Sequence, residues 1–160
     1  RKGIVVLPLP ADDLQAIYQV ITALEVEAVH LLTLSKPSNE DLAPLREQVV
    51  RMRISAENGD GETWNLADEA FHRALFDLCG NPRLADAGNS YRDKAQRAHF
   101  VALRLVPLEK KQASADAHAD LIKIILGGDA DHARRTHREQ RQRGATLLVN
   151  ALRELKLEHL

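Results

Sequence analysis

The stretch Trp64-Asn65-Leu66-Ala67-Asp68-Glu69-Ala70-Phe71-His72-Arg73-Ala74-Leu75 has the apolar period of a helix, yet it carries an acid and an imidazole within its apolar stripe. On a helix, residues 64, 68, 71, 75 and 78 share one face, which sets Asp68 among Trp64, Phe71, Leu75 and Leu78, with His72 one turn above it. An unpaired carboxylate on a buried face is costly, so Asp68 requires a partner. Identifying that partner is the main question the sequence poses.

Outward from this stretch the helical period continues in both directions. It predicts helices over about 12–35, 40–58, 62–79, 82–105, 109–126 and 130–157. Ser38-Asn39-Glu40-Asp41 offers N-caps to the second helix, Gly80 closes the third, Pro82 opens the fourth, and Asp129 caps the sixth. The first helix presents Leu14, Ile17, Ile21, Leu24, Ala28 and Leu31 on one face, and the second presents Leu42, Leu45, Val49, Met52 and Ile54. Strand signals are nearly absent beyond residue 10. The expected fold is all-α, an antiparallel bundle of six or at most seven helices enclosing a central ligand cavity. Arg1-Lys2-Gly3-Ile4-Val5-Val6-Leu7-Pro8-Leu9-Pro10 reads instead as a short strand and a proline-punctuated linker, the frayed end of a preceding domain. Residues 11–160 form the helical domain.

At 160 residues the chain suits one domain that buries about 70% of its unfolded surface. Charged residues make up 28% with a net charge of −1, which gives no basic face for nucleic acid. The single cysteine, Cys79, permits no internal disulfide and no cysteine-based zinc site, as expected of an intracellular protein. No transmembrane run or signal peptide is evident, and no membrane partner is expected.

Two later helices also carry polar groups on their inner faces. His118 precedes Leu121, Ile122 and Ile125 at spacings of three, four and seven. In the sixth helix the face Ala130, Ala133, His137, Gln140, Gly144, Leu147 and Leu148 is interrupted by His137 and Gln140. Asp68, His72, His118 and one or both of His137 and Gln140 can therefore converge from three helices. Such a set suits zinc, nickel, manganese or iron, while a hydrogen-bonded Asp–His pair beside separately satisfied core histidines accounts for the same pattern. On the fourth helix Arg92 and His99 flank the inner row, and the Arg92 fork is suited to a carboxylate. Glu27-Ala28-Val29-His30 and Glu69-Ala70-Phe71-His72 match the Glu-x-x-His pattern of di-iron bundles, but Glu69 and His30 fall away from their helices' inner faces.

The runs Asp68-Glu69-Ala70-Phe71-His72-Arg73-Ala74-Leu75, Gly80-Asn81-Pro82-Arg83-Leu84 and Ala117-His118-Ala119-Asp120-Leu121-Ile122, the last followed by Gly128-Asp129-Ala130, resemble the effector-binding (FCD) domain of GntR-type bacterial transcriptional regulators, FadR-like branch. The resemblance runs from about Asp13 to Leu148, and Arg1 to Val6 looks like the last wing strand of that family's winged-helix domain. It implies a homodimerising cytoplasmic sensor of a small organic acid that meets DNA only through an N-terminal domain absent here. It also implies a divalent metal, zinc, nickel or manganese, held by Asp68, His72, His118 and a fourth ligand. Gln140 stands where the final histidine is expected, with His137 one turn earlier as the alternative, so a metal-free pocket is the other outcome. Ile21 stands where many relatives carry an arginine that engages the ligand, which directs attention to Arg92 and His99 as effector-binding groups. The rival reading is a metalloenzyme on the same cluster, for which no general base or nucleophile is identifiable, and a third is a plain dimerisation module.

Overall fold

Helical periodicity is realised over nearly all of residues 10–157, which the computed structural model describes. The elements are α1 (Ala11–Leu34), α2 (Ala43–Glu57), α3 (Gly61–Leu78), α4 (Pro82–Arg104), α5 (Leu108–Gly127) and α6 (Ala130–Leu157). Among the described residues there are six helices and no strand, so the all-α expectation holds. The strand expected at the start of the chain lies outside the described residues.

Local chemistry sets the ends. Asp60 caps α3 by accepting from the Thr63 N–H at 3.0 Å. Asn81 caps α4 by accepting from the N–H groups of Arg83 and Leu84, each at 3.1 Å. Asp129 caps α6 through the His132 N–H at 2.9 Å. Beyond α3, Gly80 takes φ +76°, a left-handed conformation that glycine adopts without a Cβ penalty. One boundary differs from the sequence reading. Ser38 and Asp41 exchange backbone-to-side-chain bonds at 2.8 and 3.1 Å, but they form a turn, and α2 begins only at Ala43. Pro44 explains the delay, because proline favours the first helical turn, where its missing N–H costs nothing.

The helix α1 lies against α3, α4, α5 and α6, while α2 packs on α3 and α5. Tyr18, Ile21, Phe71, Leu75, Leu121 and Ile125 form the fully buried centre. By length and composition α1 could cross a membrane, but half of its most apolar window is covered by the rest of the bundle, as in a core helix. Its buried face is Leu14, Tyr18, Ile21, Glu25, Ala28 and Leu32. Leu14, Ile21 and Ala28 are buried as expected, while Ile17, Leu24 and Leu31 are only half-buried and Tyr18, Glu25 and Leu32 take the inner positions beside them. Ile54, expected inside α2, is exposed.

A smaller cluster of Ala28, Phe76 and Cys79 closes the end of α3. Here Gly88 lets α4 approach α3, since a Cβ at that position would collide with the Phe76 ring. Phe76 is wholly buried. Gly88→Ala is therefore expected to cost about 1–3 kcal/mol through overpacking, read as a lower urea midpoint at unchanged m-value. An unchanged midpoint would show that this contact is not tight.

Candidate functional site

One helical turn on α3 puts Asp68 and His72 side by side, and α5 brings His118 against them. All three are buried, and each offers a ligand atom within 4.8 Å of the others. His118 Nε2 lies 3.2 Å from Asp68 Oδ1, and His72 Nε2 lies 3.7 Å from the same oxygen. The other carboxylate oxygen, Oδ2, faces His99 Nε2 of α4 at 3.6 Å. His99 is set by Tyr18 of α1, whose hydroxyl lies 2.5 Å from Nδ1. Tyr18 thus fixes the His99 ring, which stands beside Asp68 Oδ2, while Oδ1 faces the two imidazoles.

Behind this cluster sits a residue the sequence reading passed over. Glu25 of α1 is completely buried, and its Oε1 lies 2.6 Å from both His72 Nδ1 and His137 Nε2. Its Oε2 accepts from Arg92 Nη1 at 3.3 Å, and Arg141 Nε stands 3.7 Å from Oε1. Burial alone would raise the Glu25 pKa, but His72, Arg141 and His137 together hold it well below the ordinary carboxylate value. Asp68 behaves alike: burial acts to raise its pKa, and His72, His118 and His99 bring it well below. His72 is lowered to about 3, chiefly by burial and further by Arg92 and Arg141, against the pull of Glu25. Neutral His72 then carries its proton on Nδ1, donating to Glu25, and Nε2 points its lone pair at Asp68 and His118.

The residues expected in the site are distributed over two linked groups. Asp68, His72 and His118 come together as expected. His137 is buried on the Glu25 side, and Glu25, His72 and His137 form a second close set. Gln140, expected as the fourth ligand, donates its amide to the Ala117 carbonyl at 3.0 Å and turns its oxygen to His137 Nδ1 at 3.3 Å. Arg92, expected at the effector, is buried and bonded to Glu69 and Glu25, and it is not part of the cavity wall. His99 does line the cavity. Neither Glu-x-x-His pattern forms a di-iron arrangement: Glu69 pairs with Arg92 and Arg73, Glu27 pairs with Arg134, and His30 faces the Ala130 carbonyl.

These groups open into a cavity of about 520 Å³ whose apolar wall includes Trp64, Leu103, Val106 and Leu148. Three further residues of the site escaped the sequence reading, namely Tyr18, Lys111 and Arg141. Two of them follow a legible spacing, with Lys111 seven residues before His118 and Arg141 four after His137. The donor set is of a kind that fits a divalent metal. Both ring nitrogens of buried His118 and Nε2 of His99 have no hydrogen-bond partner, and the His72 tautomer presents a lone pair beside a carboxylate. A cation among Asp68, His72 and His118 would satisfy that arrangement.

Comparison with known proteins agrees with this architecture. A family model described as the FCD domain matches residues 16–142. An uncharacterized HTH-type transcriptional regulator from the TAR-I ttuE-ttuC' intergenic region of Agrobacterium vitis is 35% identical over 77 residues, 47% of this chain and 45% of that protein. The solved structure of Escherichia coli McbR/YncC superposes with a TM-score of 0.74 at 19% identity, covering 83% of this chain and 66% of that one. The chain therefore spans under half the length of the curated relative and about two thirds of the solved one.

Two outcomes follow from the buried charges. Glu25→Gln leaves His72, His137, Arg92 and Arg141 without their shared anion, so it is expected to cost roughly 3–5 kcal/mol in chemical denaturation. A cost below about 1 kcal/mol would mean that the four partners are compensated elsewhere. The second outcome concerns pH. An unfolded His72 takes up its proton near 6.5, whereas the folded one waits until about 3. Between those values the unfolded chain binds more protons, so metal-free protein should lose stability as pH falls below about 6.5, by up to about 1.4 kcal/mol per pH unit for this group. Glu25 and Asp68, with lowered carboxyl pKa values, add losses of the same sign at lower pH. Thermal melts from pH 7.5 to 5 check the direction, and flat or rising stability on acidification would contradict it.

Proposed function

Because the chain belongs to the FCD domain family, as its resemblance to the effector-binding domains of GntR-type regulators implied, we propose that it is the ligand-sensing and dimerising part of a cytoplasmic DNA-binding transcriptional regulator. The observation that carries this reading is the buried Asp68, His72 and His118 cluster at the wall of a cavity large enough for a small organic acid. DNA contact belongs, on this reading, to a winged-helix domain outside these residues. Ligand binding would shift the population between two arrangements of the homodimer.

Asp68 Oδ1, His72 Nε2 and His118 Nε2 would hold a divalent metal, zinc, nickel or manganese, which supplies an open position for an anionic oxygen. The protein's own groups do the rest. Glu25 keeps the His72 lone pair turned inward, Tyr18 fixes the His99 ring beside Asp68, and the apolar wall excludes water from the ligand's carbon frame. Gln140 is engaged by Ala117 and His137, which favours a three-residue site over a four-residue one. The same bonds support a second, metal-free reading, in which the cluster meets the effector directly.

Sensing is preferred to catalysis because two of the groups that could move protons, Glu25 and Tyr18, are occupied. Glu25 is shared among four cationic or imidazole partners, and burial raises the Tyr18 phenol while its hydroxyl is spent on His99. Asp68→Ala or His118→Ala should abolish stabilisation by zinc in a thermal-shift assay, and with it any further stabilisation by small organic acids. Variants that respond like the parent protein would sink the reading, and turnover of those acids by the parent protein would favour an enzyme.

A further inference from the structure

The fixed charges around the cavity do not balance. Four cationic side chains line it, Lys110, Lys111, Arg141 and Arg143, against the single carboxylate of Asp68. Two of the four are buried, Lys111 at 5% exposure and Arg141 at 7%. Arg141 Nε and Nη2 have no hydrogen-bond partner, and Nη1 comes only within 3.5 Å of His72 Nε2. Its nearest carboxylate oxygen, on Glu25 at 3.7 Å, is already committed to His72 and His137. Lys111 Nζ donates to the Asn65 side-chain oxygen at 3.2 Å and lies 5.4 Å from the Trp64 ring centroid. Among the described residues no carboxylate pairs with it. Buried cations left in this condition are costly, and an anion supplied from solution would relieve both.

The positions of the two cations give the anion a shape. Lys111 stands at Asn65 and Arg141 at His72, seven residues apart on α3, which corresponds to about 10 Å at 1.5 Å per residue. Asp68 lies between them on the same helix. Resting on the sensing role of this same cavity, we propose that its ligand is a short-chain dicarboxylate. One carboxylate is held by the Arg141 fork beside Asp68, His72 and His118, and the other by the Lys111 ammonium against Trp64. Leu103, Val106 and Leu148 cover the methylenes between them.

Calorimetric titration of the purified chain with glutarate and adipate, against pentanoate and hexanoate of matched length, tests the assignment. The diacids are expected to bind about tenfold tighter or more than the monoacids, the worth of one charge-assisted hydrogen bond. Lys111→Met should erase that advantage, so that diacid and monoacid bind alike. Arg141→Gln should weaken both classes about tenfold or more, with Arg141→Lys restoring only part, because an ammonium cannot reproduce the fork. Equal affinity of mono- and diacids for the parent chain, or a diacid preference that survives Lys111→Met, overturns the dicarboxylate assignment and leaves the sensing reading standing. If none of the four acids binds, both fail. The parent comparison needs no variant, so poor folding of a substituted chain does not shield the proposal.

Discussion

One carboxylate without access to water orients the centre of this bundle. Glu25 of α1 meets His72 of α3, Arg92 of α4, and His137 and Arg141 of α6, so four of the six described helices converge on a single side chain. Such a network adds little net stability, since removing several charges from water costs nearly what their attraction returns. What it supplies here is orientation. With Nδ1 of His72 bound to Glu25, Nε2 is left as an acceptor facing Asp68 and His118, and the arrangement of the site follows from that one bond.

The network and the cavity share a wall. His72 belongs to both, with one ring nitrogen on Glu25 and the other at the cluster. Arg141 likewise stands near Glu25 through Nε and near His72 through Nη1. A ligand that draws on Arg141 therefore acts on the contact between α1 and α6, while one that engages His72 acts on α3. Sensing by such a domain needs a group that feels both the ligand and the packing of helices, and these two side chains meet that condition.

The helical class, the cap at Asp129, the start at Pro82 and the glycine stop at Gly80 were all legible, because local rules govern them. The convergence of Asp68, His72 and His118 was legible too, since each interrupts an apolar period. Glu25 was not. The expected stripe of α1 was right at Leu14, Ile21 and Ala28 but took Leu24 and Leu31 where Glu25 and Leu32 are buried, and a glutamate reads as solvent-facing unless its partners are known. Those partners lie 47, 67 and 112 residues away in the chain, beyond the reach of any periodicity. Gln140 illustrates the opposite case. Its spacing places it at the site, but spacing says nothing of the Ala117 carbonyl and His137 nitrogen that occupy its amide.

The central claim concerns one proton, and histidine NMR reads it directly. Long-range proton–nitrogen correlation on the metal-free protein should find His72 as the Nδ1–H tautomer, with an unprotonated Nε2 whose resonance moves when zinc is added. A His72 protonated at Nε2, or one whose Nε2 resonance ignores zinc while the His137 signals respond, would contradict the arrangement described here and shift attention to the Glu25, His72 and His137 set.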